Sequence, residues 1–231
     1  YLNLNTYYFS FILSLIIAIL FYKIKVPEVK IDIFKKILTV FLGYILLPLI
    51  LLIPFYFSIY NLTFLDSFFE TISGFTSTGF TIFPNIKNID QSLILWRSST
   101  QWIGGLYFLF SIIFLIDIYD DSLKKSLTNF LSFNSSEVIK QTIKIFILYS
   151  CITLSIFIIL NIFDIRSFHS LNLSMTIIAS GGFLPSNDLS SILVNEGQII
   201  IFSLLMLVSF FSIFFIYNLI FLRDKNLNFF Y

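Results

Sequence analysis

The sequence is poor in charge, cysteine and histidine, and each shortage excludes a class of protein. Only 12% of the 231 residues are charged, against about 25% in soluble domains, so a water-soluble globule is excluded. The one cysteine, Cys151, rules out an internal disulfide, and a single histidine, His169, cannot build a zinc site. A net charge of +1 provides no basic surface for nucleic acid. With 58% hydrophobic residues, the composition indicates an integral membrane protein.

The apolar residues form five long runs that predict membrane-spanning helices. Four runs reach the roughly 20 residues needed to cross a hydrocarbon core of about 30 Å, and the first is slightly shorter. Because the chain begins with Tyr1 rather than methionine, we expect it to be a segment of a longer protein. The predicted fold is an all-α integral membrane protein with spans at 7–22, 38–60, 92–116, 145–163 and 198–222.

Basic residues assign the loops to the two sides of the membrane. Eleven of the 14 lysines and arginines lie in alternate loops, which are expected to face the cytoplasm. The opposite segments carry only Lys87, Arg97 and Arg166 against six acidic residues, a net charge of −3. This surplus predicts an outer mouth that attracts cations, although ordinary solvation of loops explains it equally well.

An internal repeat lies between the spans. Residues 66–80 read DSFFETISGFTSTGF and residues 169–183 read HSLNLSMTIIASGGF, at a constant offset of 103 positions. Each copy stands between two predicted spans and consists of a short helix, a glycine-containing turn and a return segment. The identical pairs are Ser67 and Ser170, Ser77 and Ser180, Gly79 and Gly182, and Phe80 and Phe183.

Each copy is predicted to contain a re-entrant pore helix that enters from the outer side. A helix over 66–76 rises about 16 Å, which is half the hydrocarbon thickness. Asp66 stands where an N-cap belongs and Glu70 in the first turn, so this helix should begin at the outer surface. Its carbonyl end then points at the membrane centre, where a partial negative charge favours a cation.

The turn after each helix leaves helical geometry at membrane depth, which is tolerated only inside protein or beside a watery cavity. Gly79 and Gly182 supply backbone angles that other residues resist, and such angles let carbonyl groups replace an ion's hydration shell. The alternative is an ordinary helix end with a C-cap glycine and threonines bonded back to the helix. Two matching copies favour the pore.

The two repeated segments resemble the pore units of TrkH-type potassium uptake proteins. The resemblance rests on DSFFETISGFTSTGF (66–80), LILWRSSTQWIGG (93–105) and IIASGGF (177–183), and it covers essentially the whole chain. It implies the fold of the Trk/Ktr/HKT superfamily, in which four span–pore-helix–span units surround one axis. The run at 7–22 resembles an extra N-terminal span that TrkH proteins carry and KtrB relatives lack.

The resemblance also implies the residues of the site. Potassium would bind at backbone carbonyls of two filter strands, with Asp66 and Glu70 at the start of the first pore helix. His169 takes the place of the usual acidic start of the second pore helix, which weakens its cap. The first strand is Thr76, Ser77, Thr78 and Gly79, and the second is Ala179, Ser180, Gly181 and Gly182.

The same resemblance implies the setting of the protein. It predicts K⁺ as the transported ion, a homodimer in lipid of a bacterial cytoplasmic membrane, and a TrkA-like cytoplasmic nucleotide-binding regulatory subunit. No cofactor and no nucleic-acid partner are expected. Because only two of four units are present, the chain is the N-terminal half of a longer protein or assembles with a second copy, and we favour the former.

We divide the chain into an N-terminal span and linker (1–36), a first unit (37–117), a cytoplasmic linker (118–144) and a second unit (145–231). The polar stretch 117–137 is a candidate docking surface for a regulator or a short interfacial helix. Trp96, Arg97 and Trp102 are predicted to anchor the third span at the outer interface. Gln101 should find a partner across a helix interface, and Gly104–Gly105 should allow close packing.

The predicted function is potassium uptake, and three alternatives remain. These alternatives are a sodium-coupled transporter of the same superfamily, a weakly selective cation transporter of that superfamily, and a non-conducting membrane scaffold. No phosphate-binding loop, metalloprotease motif or nucleophile elbow is present, so no enzyme is predicted.

Overall fold

The computed structural model describes residues 4–23, 32–115 and 135–210, and these residues form helices without a β-strand. The predicted all-α architecture is therefore confirmed for them. The helices are α1 (Leu4–Lys23), α2 (Ile33–Leu51), α3 (Ile53–Tyr56), α4 (Phe64–Phe75), α5 (Gln91–Leu115), α6 (Ser135–Ile162), α7 (Ser167–Ile178) and α8 (Glu196–Phe210). In these described ranges, two short 3₁₀ helices cover Ile86–Asn88 and Leu189–Ser191.

Among the described residues, three helical segments are long and apolar enough to cross a membrane, namely Ile33–Tyr56, Gln91–Leu115 and Thr142–Ile162. The first and last predicted spans coincide with shorter apolar helices, Leu4–Leu20 and Glu196–Leu207. The predicted continuation of the last span over 211–222 lies outside the described residues. So does 116–134, which contains most of the predicted docking linker.

The first long span is interrupted near its C-terminal end by prolines. Helix α2 contains Pro48 and ends at Leu51, and α3 restarts at Ile53 with Pro54 in its first turn. Pro54 has no N–H to donate to the preceding turn, and it is tolerated where a new helix starts. The interruption lets the chain turn toward α4.

The backbone repeats with the offset of 103 residues found in the sequence. Helices α4 and α7 begin and end 103 positions apart, and so do the two 3₁₀ helices. Positive φ angles recur at the same spacing, at Asn61 (50°) and Asp164 (58°) and again at Ser77 (56°) and Ser180 (52°). The repeat therefore extends from the end of each long span, through the short helix and the glycine-containing turn, to the 3₁₀ helix.

Helix α5 joins the two copies, because it packs against both α4 and α7. We call α2–α5 the first unit and α6–α8 the second unit. The larger hydrophobic core is shared between α5 and the second unit and includes Leu106, Ile145, Ile156, Leu160, Leu173 and Phe202. A smaller core beside the first unit contains Phe55, Ile86, Ile89, Leu93 and Ile94.

Candidate functional site

Helix α4 begins two residues earlier than predicted, with Thr63 as its N-cap. The Thr63 hydroxyl oxygen accepts a hydrogen bond from the backbone N–H of Asp66 (3.1 Å). The same hydroxyl donates to the Asp66 carboxylate (2.6 Å). The prediction that Asp66 is the N-cap is therefore wrong. Asp66 occupies the first turn, where its charge still complements the helix dipole, and the Thr63–x–x–Asp66 spacing is a variant of the capping box.

Glu70 lies beyond the first turn of α4, so the prediction that places it in that turn is wrong, and its side chain is fully buried. Its Oε1 accepts from Nε of Arg97 at 2.7 Å, and its Oε2 accepts from the backbone N–H of Ile82 at 3.0 Å. The hydroxyl of Thr81 lies 3.0 Å from both carboxylate oxygens. A buried charge needs such partners because it has lost its hydration.

Arg97 is also buried, so the prediction of an interfacial anchor is wrong for this residue. Besides its ion pair with Glu70, its Nη1 donates to the backbone carbonyl of Leu184 (3.3 Å). Its guanidinium carbon lies 4.2 Å from the centre of the Phe183 ring and 5.8 Å from that of Phe83. Arg97 thus contacts residues of both units.

Residues 76–80, which we call the first glycine segment, fold back onto the end of α4. The backbone N–H groups of Thr78 (2.9 Å) and Gly79 (3.3 Å) both donate to the carbonyl of Ser73. The Ser73 hydroxyl donates to the carbonyl of Phe80 (2.6 Å). Gly79 has a φ of +81°, which a residue with a side chain rarely adopts.

Residues 179–183, the second glycine segment, repeat this arrangement. The backbone N–H of Gly181 donates to the carbonyl of Thr176 (2.8 Å). The Thr176 hydroxyl donates to the carbonyl of Phe183 (3.1 Å). Thr176 occupies the position 103 residues after Ser73, so a hydroxyl side chain fixes the end of each segment.

Gln101 of α5 holds the second glycine segment from the first unit. Its amide orientation is assigned from the surrounding hydrogen bonds: the nitrogen donates to the Thr176 hydroxyl (3.0 Å). The amide oxygen accepts from the backbone N–H groups of Gly182 (2.9 Å) and Phe183 (3.0 Å). Gln101 is fully buried, and its predicted partner across a helix interface is confirmed.

The two glycine segments touch each other at Gly79 and Gly182. A Cβ atom on Gly79 would lie 2.6 Å from the Cα atom of Gly182, and one on Gly182 would lie 3.2 Å from the Cα atom of Gly79. The C-terminal ends of α4 and α7 therefore lie near one point. Partial negative charge from both helix dipoles collects there.

The glycine pair of α5 lets both short helices approach it, as the predicted close packing requires. A Cβ atom on Gly104 would collide with the carbonyl of Phe75 at the end of α4. A Cβ atom on Gly105 would lie 3.2 Å from the Cα atom of Ala179 at the end of α7. Helix α5 thus contacts the C-terminal ends of both short helices, where the two glycine segments begin.

The carbonyl oxygens of the two glycine segments are the candidate ligands. Within the described residues, no hydrogen bond ends on a carbonyl oxygen of residues 76–79 or 179–182. Of these eight residues only Ala179 is buried, and the other seven are half-buried or exposed. Eight oxygens are thus available to a cation.

The second short helix has a weaker start than the first. Its N-cap residue is Arg166, whose side chain makes no capping hydrogen bond, whereas Thr63 caps α4. His169 lies in the first turn of α7, and burial first, then the charge of Arg166, lowers its pKa from the ordinary value. A neutral imidazole is therefore favoured, and it adds no charge to this helix end.

Sequence reasoning missed the pairing of Glu70 with Arg97, although a signal for it exists. Arg97 is the one charged residue of α5, and Glu70 is the one charged residue of α4 beyond its first turn, which holds Asp66. Such charges face the protein interior and pair with one another because exposure to lipid is costly. The sequence contains both charges but does not place them together.

These features define a helical membrane protein in which two repeated helix–turn units meet at a pair of glycines, and the carbonyls around them accept no hydrogen bond from the part of the chain that the structure describes. The sequence profile of TrkH, described as a cation transport protein, matches residues 4–193. The chain therefore belongs to the TrkH family of cation transport proteins, which are transporters rather than enzymes. As a family member it is a membrane protein.

Individual relatives support this assignment. An uncharacterized cation transporter of Methanocaldococcus jannaschii is 30% identical over 145 residues, which are 58% of this chain and 29% of the relative. The Trk system potassium uptake protein TrkH of Escherichia coli K12 is 40% identical over 55 residues, 23% of this chain and 11% of that protein. The chain thus spans less than a third of these two relatives.

A solved structure supports the fold. The crystal structure of the potassium transporter TrkH from Vibrio parahaemolyticus matches with a TM-score of 0.69 and 18% identity. The match covers 88% of this chain and 42% of the crystallised chain. At this identity the similarity establishes the fold alone.

Proposed function

We propose that this chain forms part of a potassium uptake pore, with the two glycine segments as two of its filter strands. The observation that carries the proposal is the meeting of these segments at Gly79 and Gly182, with eight carbonyl oxygens that accept no hydrogen bond from the described residues. Backbone carbonyls can replace the hydration shell of K⁺. Helices α4 and α7 are the corresponding pore helices.

The surrounding charge supports passage of a cation. The ends of α4 and α7 near the glycine pair carry partial negative charge, and Asp66 adds a carboxylate at the start of α4. Glu70 does not add to this attraction, because Arg97 neutralises it. The ion is therefore attracted by dipoles and carbonyls rather than by a buried carboxylate.

The ion and the assembly are part of the proposal. Relatives named as potassium uptake proteins favour K⁺ over Na⁺. Two units contribute two sides of a pore, so further units, in the same protein or in a second copy, are needed to close it. We extend the proposal to a homodimer in a bacterial cytoplasmic membrane with a TrkA-like nucleotide-binding regulatory subunit.

Rubidium uptake in bacterial cells that lack their own potassium transporters tests the proposal. The 231-residue chain and the native-length protein are expressed separately, each with and without Gly79→Asp. We expect uptake by the native-length protein and its loss in the variant, because the side chain obstructs the glycine contact. Wild-type uptake in the variant would refute the filter assignment.

Two further outcomes separate the alternatives. Uptake that requires Na⁺ would indicate a sodium-coupled transporter, and equal uptake of Na⁺ and Rb⁺ would indicate a weakly selective one. Uptake by the 231-residue chain alone would mean that copies of it assemble a pore. Absence of uptake, with the protein and its regulator present in the membrane, would favour the scaffold.

A further inference from the structure

Arg97 contacts Phe183 and Leu184 of the second unit directly, and through Glu70 it reaches the end of the first glycine segment. We infer that Arg97 is a positioning residue for ion selectivity, which fixes the outer ends of the two glycine segments relative to each other without touching the ion. This inference rests on the proposed function, because it assumes that the segments are filter strands. It adds a residue of α5 to the determinants of selectivity.

The first contact is with the outer end of the first glycine segment. Glu70, paired with Arg97 at 2.7 Å, accepts the backbone N–H of Ile82 and the hydroxyl of Thr81. Residues 81 and 82 directly follow the first glycine segment. The ion pair of Glu70 and Arg97 therefore holds residues 81 and 82 against α4.

The second contact is with the outer end of the second glycine segment. Phe183 is the last residue of that segment, and its buried ring lies 4.2 Å beneath the Arg97 guanidinium carbon. The next residue, Leu184, accepts from Nη1 through its backbone carbonyl at 3.3 Å. The Arg97 guanidinium thus holds the chain after both glycine segments, directly in the second copy and through Glu70 in the first.

This arrangement matters for selectivity because a filter distinguishes K⁺ from Na⁺ through the positions and field of its carbonyl oxygens. Gly79 and Gly182 meet without side chains, so they limit how close the segments come but do not orient them. Gln101 fixes only the second segment to α5. Arg97 acts on both segments and is suited to set their spacing.

Holding both segments in this way requires arginine rather than lysine. A guanidinium is planar, donates in fixed directions and stacks on an aromatic ring. A lysine can keep the charge beside Glu70, but a single ammonium cannot also stack on Phe183 and donate to Leu184. Arg97→Lys therefore separates the positioning contacts from simple charge neutralisation.

The test is the ratio of Rb⁺ to Na⁺ uptake by the native-length protein carrying Arg97→Lys. We expect this ratio to fall about fivefold, which corresponds to about 1 kcal/mol of lost discrimination between the two ions. The amount of protein in the membrane and its thermal unfolding midpoint should stay near wild type. Arg166→Lys, at the exposed N-cap position of α7, is the matched control and should leave the ratio unchanged.

Phe183→Leu provides an independent test if Arg97→Lys does not reach the membrane. It removes the ring beneath the guanidinium and keeps an apolar side chain, so the ratio should fall to a similar degree. Combining both substitutions should lower the ratio little further, because they disrupt the same contact.

Wild-type ratios in both single variants, with normal Rb⁺ uptake, would overturn the inference and leave the proposed function intact. A fall in total uptake with an unchanged ratio would also overturn it, since that result indicates a purely structural residue. Absence of Rb⁺ uptake in the wild type would instead count against the proposed function.

Discussion

The two units have the same backbone but different surroundings. Phe80 and Phe183 end equivalent glycine segments, yet Phe80 is 68% exposed and Phe183 only 1%. The cause is α5, whose Arg97 and Gln101 cover the second segment. Among the described residues, no helix covers the corresponding side of the first segment. Equal backbone geometry therefore does not imply an equal environment.

The same contrast separates the helices that follow the two glycine segments. The positions 103 residues after Arg97, Gln101 and Gly104 are apolar and exposed in α8. On α4, the exposed Leu65 and Phe69 likewise leave an apolar face uncovered by described residues. In the proposed pore, further units would pack on these two faces. The apolar positions on α8 are Ile200, Leu204 and Leu207.

The short helices also differ in what they bury. Glu70 of α4 is fully buried with its arginine, whereas the equivalent position in α7 is Leu173, which is fully buried in the hydrophobic core. One unit is held by an ion pair and the other by apolar packing. The two copies thus share their backbone turns and glycines, whereas their side chains differ wherever each unit meets a different neighbour.

The largest effect is expected from alanine at the two contacting glycines. Gly79→Ala places a side chain at φ +81° and 2.6 Å from Gly182, so we expect it to abolish Rb⁺ uptake. Gly182→Ala lacks a left-handed φ and meets Gly79 at 3.2 Å, so uptake should fall only in part. Equal loss in both variants would show that the two segments are equally strained.

The next effect tests the ion pair against the apolar packing. Glu70→Leu gives the first unit the residue type of the second and leaves Arg97 buried without its partner. We expect a loss of about 3–5 kcal/mol in stability, measured by thermal unfolding of the purified protein in detergent. Adding Arg97→Met should restore most of it, because an apolar pair replaces two charges. A double variant no more stable than Glu70→Leu would contradict this account.

A smaller effect is expected when α5 is made like α8 at one position. Gln101→Leu leaves the N–H groups of Gly182 and Phe183 without their acceptor, at a cost of about 1–3 kcal/mol. Rb⁺ uptake and the unfolding midpoint should both decrease. Leu204→Met, at the equivalent position in α8, is the matched control. If Gln101→Leu matched the wild type in both measurements, the second segment would not depend on this amide.

The smallest effect concerns the starts of the short helices. Thr63→Ala removes the N-cap of α4 and should reduce stability by about 1 kcal/mol. Arg166→Ser supplies the hydroxyl that α7 lacks and should increase stability slightly. Both changes are read from the unfolding midpoint. An unchanged midpoint in Thr63→Ala would mean that packing alone fixes the start of α4.

The sequence was sufficient to predict features that depend on local patterns. Apolar runs identified the helices, since a backbone surrounded by lipid must satisfy its own hydrogen bonds. The offset of 103 residues identified both short helices and their turns, because glycine and small polar residues mark the same angles in each copy. Boundaries were less accurate, as Thr63 rather than Asp66 begins α4.

Tertiary structure decided which residues meet. Arg97 pairs with Glu70 and also reaches Leu184, 87 positions away in the sequence. Gln101 of the first unit holds the second glycine segment at Gly182. Helical periodicity and residue type describe only neighbours within a few turns, so they cannot indicate such partners. The repeated backbone and the position of its glycines therefore follow from the sequence, whereas the way the two copies are joined follows from the packing of α5 between α4 and α7.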